Sequence, residues 1–141
     1  MFVYERKIRV RYAETDQMGY VYHANYLAYF EEARTEALRD LGLAYRDMER
    51  QGVMLPVLEA NVKYIRPARY DDLLTVKVIM RELPGVRLKF EYEVYKEDGT
   101  KINLGRTTLV FVDMRTGKPT EAPENILKLF YPFFENVAPK G

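Results

Sequence analysis

Asp16, Gly19 and the chain's one histidine, His23, stand together just ahead of a stretch with helical periodicity. Asp16 has two roles open to it. It can bond the backbone amides of its own loop, Thr15 to Gly19, as aspartates in turns do. It can also serve as a carboxylate held near the positive end of the helix that follows. A helix N-terminus offers backbone N–H groups with no intrahelical partner, together with the macrodipole. Such donors polarise a carbonyl and hold the oxyanion that forms when it is attacked. The carboxylate beside them can be the nucleophile or a base toward water. Acyl transfer to water needs no more than these two elements when the leaving group is good, as a thiolate is. His23 can cap the helix, pair with Asp16 as a dyad, or contribute only its backbone N–H. The chain has neither serine nor cysteine, so a Ser-His-Asp triad and a thiol nucleophile are both excluded. Tyr20, Tyr22, Tyr26 and Tyr29 read as core and loop-anchoring aromatics, of which Tyr26 and Tyr29 can line an acyl pocket.

Composition removes several other classes of function. At 141 residues the chain is long enough for a core without disulfides or metal staples, and a single domain over 1–141 is expected. A formal net charge of +1 gives no global field for nucleic acid or an anionic membrane, so neither is expected as a partner. The N-terminus MFVYERKIRV carries charges where a signal peptide needs an apolar run, and no stretch is long and apolar enough to span a membrane. A cytoplasmic location is the default expectation. With no cysteine and one histidine, thiolate and histidine-rich metal sites are out, leaving only all-oxygen Mg²⁺ or Ca²⁺ sites. No resident metal or cofactor is expected.

The elements that must position Asp16 and His23 follow from periodicity. Residues 6–12 alternate, with Ile8, Val10 and Tyr12 on one face, as in a half-buried strand. From about Ala24 to Leu41 the period becomes helical, through Tyr26, Tyr29, Phe30, Ala33, Ala37 and Leu41, with Gly42 as C-cap. Leu27, Ala28 and Leu38 widen the apolar surface, so this helix is expected to be covered on more than one side. A short helix is expected near Tyr45–Gln51. Strands follow at 58–65, 76–80, 86–94 and 102–112, each with one apolar face. Pro84-Gly85 suits a type II turn, and Asp98-Gly99 a two-residue hairpin. Pro123 suits the first turn of a closing helix that carries Ile126, Leu127 and Phe130. This order predicts an α+β fold, a mainly antiparallel five-stranded sheet wrapped around one long central helix.

The stretch YAETDQMGYVYHANYLAYFEEAR, residues 12–34, resembles the D-x-x-G-x-V-x-H-x-x-Y-x-x-Y-F-E-x-A-R pattern of the 4-hydroxybenzoyl-CoA thioesterase family, which has the hot-dog fold. It is similar above all to the bacterial acyl-CoA thioesterase branch. EANVKYIRPARYDDLLTV, residues 59–76, resembles that family's next strand and turn, so the likeness covers roughly residues 5–113. The resemblance implies an acyl-CoA substrate, with the family's loop carboxylate on Asp16, its turn glycine on Gly19 and the carbonyl-polarising amide on His23. A second branch places the carboxylate on the central helix, where Glu31 or Glu32 would stand. CoA phosphates are held at the mouth of the family's site, where Lys63, Arg66 and Arg69 can supply charge; a solvated strand edge is their simpler role. Asp71-Asp72 reads as turn chemistry. Hot-dog hydratases use a different Asp-to-His spacing from the six residues between Asp16 and His23, which disfavours dehydration. The readings are therefore an acyl-CoA thioesterase, with a hydratase or a non-catalytic acyl-CoA-binding protein as alternatives. The family also implies a homo-oligomer, a dimer or tetramer.

Overall fold

A computed structural model describes residues 1–134. Residues 135–141, the end of the expected 1–141 domain, lie outside the described residues. The elements run β1 (Phe2–Arg9), α1 (Asn25–Asp40), α2 (Tyr45–Arg50), β2 (Val53–Met54), β3 (Val57–Tyr64), β4 (Leu73–Met80), β5 (Arg87–Tyr95), β6 (Lys101–Val110), β7 (Val112–Asp113) and α3 (Glu124–Phe130). Five strands form one sheet in the order β1-β4-β5-β6-β3, every pair antiparallel, and β2 pairs with β7 separately. This is the α+β architecture expected from the periodicity, with one long helix.

Helix α1 packs on the sheet through Tyr26, Tyr29, Phe30, Ala33, Ala37 and Leu38, all buried at three- and four-residue spacing. Phe30 stacks on Tyr92 of β5 with ring centroids 4.3 Å apart. That close approach depends on Gly105 of β6, where a Cβ would lie 2.3 Å from the Phe30 ring. A glycine inside a strand marks just such an approach. The helix stops at Gly42, which takes φ 95°. Its N–H bonds Arg39 O and the Leu43 N–H bonds Leu38 O, the paired bonds of a Schellman cap.

Several expectations change. The first strand is Phe2–Arg9 rather than 6–12. Ile8 and Val10 are buried, but Tyr12 is 77% exposed. The Arg11 N–H bonds the Glu14 carboxylate at 2.8 Å, which turns the chain into a 3-10 turn at Tyr12–Glu14. Gly85 does not have the positive φ that a type II turn requires; its N–H bonds Arg87 O and its carbonyl receives the Ala122 N–H. The β5–β6 loop has three residues, Glu97–Asp98–Gly99, closed by Lys96 N–H to Thr100 O, with Gly99 at φ 87°. Pro123 sits at the N-cap of α3, one position earlier than expected.

The largest departure is β3. Its residues alternate in sequence, yet almost all are exposed, because β3 is an edge strand that meets α1 only near the helix start, through Tyr64. Val57, Leu58, Tyr64 and Ile65 are each between 44% and 54% exposed. Nor is α1 covered on several sides within the chain, since Leu27 and Ala28 face solvent.

Candidate active site

Between β1 and α1 the chain makes a small hairpin. Thr15 bridges Val21, and Asp16 N–H bonds Tyr20 O. Gln17, Met18 and Gly19 form its tip, and Gly19, at φ 80°, closes it by donating to Asp16 O. The conformation explains why a glycine stands here. Asp16 Oδ1 accepts from Met18 N–H at 2.9 Å and Tyr20 N–H at 3.1 Å. The loop role leaves room for a chemical one: one carboxylate oxygen is fixed by the turn, and no hydrogen bond occupies Oδ2 among the described residues.

Two peptide units further along have an unusual pattern. The Tyr22 carbonyl accepts from Asn25 N–H at 2.9 Å, and the His23 carbonyl accepts from the Tyr64 hydroxyl at 3.0 Å. Both carbonyls are held, so the planes of the 22–23 and 23–24 peptides are held as well. Their N–H groups, those of His23 and Ala24, have no partner among the described residues. Helix α1 has no capping side chain at Ala24 and no acidic residue in its first turn, so nothing on the helix itself offsets the positive end of its dipole.

Glu14 anchors this entry. Its carbonyl accepts from Tyr22 N–H and the Asn25 side-chain amide, each at 2.8 Å, and its carboxylate accepts from the Tyr29 hydroxyl at 3.1 Å. Burial, reinforced by Glu14, raises the Tyr29 phenol above its ordinary value. Burial pushes Tyr26 up to about 12. Both phenols stay protonated at neutral pH, so they are donors and walls rather than bases.

A cleft of about 310 Å³ opens where these parts meet, lined by Asp16, Tyr20, His23, Tyr26, Tyr64 and Arg66 among others. Of the catalytic and substrate-binding candidates, Asp16, His23, Tyr26 and Arg66 line it, with Tyr20 in its expected loop-anchoring place. Gly19 shapes the loop beside it. The Arg69 guanidinium lies 4.8 Å over the Tyr20 ring, at the cleft's side. Tyr29 is buried beneath, with its hydroxyl on Glu14. Lys63 lies on the opposite face of β3, in a depression with Glu91, Glu93 and Lys101. The imidazole of His23 packs on the Tyr22 ring, centroids 4.4 Å apart, and makes no hydrogen bond to Asp16. Glu32 is ion-paired with Arg6 at 3.1 Å, and Glu31 faces a separate groove. Asp72 accepts the Arg69 N–H at 2.8 Å, the turn role expected of the Asp71-Asp72 pair.

Glu14, Asn25 and Tyr64 were not singled out as site residues. Asn25 has a local signal, a cap-type residue in the helix's first turn. Tyr64 has none, because its partner is 41 residues away.

Residues 10–130 match the model of the Thioesterase-like superfamily. The Escherichia coli O6:H1 protein named acyl-CoA thioester hydrolase YbgC is 34% identical over 123 residues, 87% of this chain and 92% of that protein. The 1,4-dihydroxy-2-naphthoyl-CoA hydrolase of Thermosynechococcus vestitus is 32% identical over 99 residues, 70% of this chain and 68% of its own. The crystal structure of the DHNA-CoA thioesterase of Staphylococcus aureus superposes with a TM-score of 0.81 at 34% identity, covering 96% of this chain and 86% of that one. The chain belongs to the thioesterase-like superfamily, in its hot-dog fold.

Proposed function

We propose that the chain hydrolyses acyl-CoA thioesters in the cleft between the Asp16 loop and the start of α1. The observation that carries this reading is the pair of unpartnered N–H groups at His23 and Ala24, opening at an uncapped helix end beside a carboxylate. The thioester carbonyl oxygen takes the position facing the His23 N–H, which stabilises negative charge as it develops. One such donor contributes about 3 kcal/mol to the transition state.

Two routes use the same atoms. In one, an Asp16 oxygen attacks the carbonyl carbon, the C–S bond breaks, and CoA leaves as the thiolate. Water then cleaves the resulting anhydride, releasing the acid and restoring the carboxylate. In the other, Asp16 takes a proton from water as that water attacks, and the thiolate leaves from the tetrahedral intermediate. A positioned base supplies about 10²–10⁴-fold. Label in Asp16 after a single turnover in ¹⁸O-water identifies the anhydride route, since only water attacking the Asp16 carbonyl of the anhydride places it there.

Arg66, at the cleft, and Arg69, beside it, are suited to CoA phosphates, with Tyr26 as part of the acyl wall. The active form is a homo-oligomer in this reading, a dimer or a dimer of dimers, because the cleft ends on an edge strand with an exposed apolar surface. The test is an acyl-CoA panel of short, long and aromatic acyl groups, with the released thiol read by a thiol reagent. The chain has no cysteine, so it adds no background to that assay. Absence of thiol release across the panel refutes the proposal. The related hydrolases bear names with acyl-CoA and 1,4-dihydroxy-2-naphthoyl-CoA, so both aliphatic and aromatic acyl groups belong in it.

A further inference from the structure

Arg34 is a buried cation without a counter-ion. Its side chain projects from the middle of α1, the residue is only 7% exposed, and Nε has no hydrogen-bond partner. No carboxylate among the described residues forms an ion pair with it. It lies beside the hydroxyls of Tyr92 and Tyr45. Tyr92 is already bonded to Thr107 at 2.6 Å, while the buried Tyr45 hydroxyl has no partner. The two phenols are the polar groups beside the guanidinium, and neither carries the negative charge that a buried cation calls for. Arg34 and Tyr45 line one groove of about 470 Å³, within the roughly 300–1,000 Å³ range of small-molecule sites. Its walls are Met48, Val53, Leu55 and Val57, and its rim carries Glu31 and Glu49.

We propose that this groove binds an apolar carboxylic acid, with the carboxylate on the Arg34 guanidinium and the Tyr45 hydroxyl and the chain along Met48, Val53 and Leu55. Each part of the ligand answers a feature of the groove. A guanidinium side and a hydroxyl together offer donors to both carboxylate oxygens. The apolar walls favour a hydrocarbon body. The two rim glutamates repel a doubly charged phosphate more strongly than a single carboxylate. The acid released by the proposed hydrolysis has this form, so the groove is a site for the product. That source alone rests on the proposed function; the chemistry of the groove does not.

The test is titration of the full chain with octanoate, octanamide and octanol, followed by the ¹H–¹⁵N resonances of the arginine Nε–H groups. Octanoate is expected to shift the Arg34 resonance saturably, and octanol and octanamide to leave it in place. Tyr45→Phe, which deletes only an unpartnered hydroxyl and so spares the fold, should weaken octanoate binding about 10-fold. Arg34→Met should abolish it and also assigns the resonance. Asp16→Asn should bind octanoate as the unsubstituted chain does, which separates this groove from the cleft. Equal binding of octanoate and octanol, or no effect of Tyr45→Phe, overturns the proposal. So does an Arg34 resonance that octanoate never moves, the result expected if a second copy's carboxylate already holds the guanidinium. Binding needs no turnover. Octanoate on Arg34 in a chain that cleaves no acyl-CoA refutes the hydrolase reading alone, and turnover without an Arg34 response refutes this one alone.

Discussion

The Tyr64 hydroxyl donates to the carbonyl of His23 at 3.0 Å, and so ties the exposed edge strand to the start of α1. That carbonyl shares a peptide unit with the Ala24 N–H, one of the two unpartnered donors. Tyr64 also meets the Tyr26 ring edge-on, with centroids 5.6 Å apart, so its ring and its hydroxyl act on different parts of the cleft. Tyr64→Phe keeps the ring and removes the bond. An ordinary hydrogen bond contributes about 1 kcal/mol, so kcat should fall roughly 5-fold while KM changes little. Steady-state kinetics on one acyl-CoA decides it; unchanged kcat shows that the 23–24 peptide is held without Tyr64.

How far the site could be read in the sequence follows from how local each part is. Asp16 and Gly19 are fixed by bonds within their own loop and His23 stands at the helix entry, so loop and cap chemistry exposed them. Tyr64 looks like an apolar-face residue of a strand, and nothing near it in sequence marks its hydroxyl as a tether. The alternation in β3 shows which face suits burial, but not that the strand lies at the sheet's edge, which only the pairing order reveals. The Asp98-Gly99 pair marks a turn without counting its loop; the third residue, Glu97, depends on how Lys96 meets Thr100. Arg34 carries charge on a stretch of apolar spacing, and its burial depends on α2 and β5 arriving from elsewhere in the chain.

Asp16→Asn tests the carboxylate without dismantling the loop. The asparagine oxygen can still accept from the Met18 and Tyr20 amides, so hairpin geometry and substrate affinity should persist. The kcat should fall at least ~100-fold, because transition-state help alone is lost. Turnover near that of the unsubstituted chain in a folded variant removes Asp16 from the chemistry.

The exposed β3 edge predicts an assembly larger than a monomer at micromolar concentration, measured by sedimentation. Leu58 is 54% exposed, so Leu58→Lys should change the chain's own stability by no more than about 0.5 kcal/mol. A charge on that edge should nevertheless shift the assembly toward monomer and lower activity with it. A stable monomer before substitution, with full activity, contradicts the shared-edge reading.

Alkaline stability should report the buried phenols. Tyr26 titrates at about 12 in the folded chain against the ordinary 10.0. Unfolded tyrosine therefore gives up its proton first, which favours the unfolded state once the pH passes that value. The contribution is intact below about pH 10 and is lost as pH rises through about 12. Denaturant unfolding at about pH 8 and about pH 11 measures the loss, and Tyr26→Phe should reduce it. An equal loss in the variant assigns the effect to other groups.

The last prediction separates backbone from side chain at His23. Its N–H has no partner, and its ring packs on Tyr22 without reaching Asp16. His23→Ala keeps the donor and discards the imidazole, so activity should stay within ~10-fold of the unsubstituted chain, well short of the loss expected when an oxyanion donor is removed. His23→Pro discards the donor and should lower kcat by roughly 10²–10³-fold. Proline suits the position because the N–H it deletes bonds nothing, His23 is not a positive-φ residue, and the helix begins only at Asn25. It does bias Tyr22 toward extended backbone, so circular dichroism and sedimentation must show that both variants keep their fold and assembly. If folded His23→Ala is as inactive as Asp16→Asn, the imidazole carries the chemistry and the hydratase-like dyad displaces the helix-end mechanism. If His23→Pro alone is inactive, the donor is the amide, and the histidine ring is there to pack against Tyr22 and Tyr64.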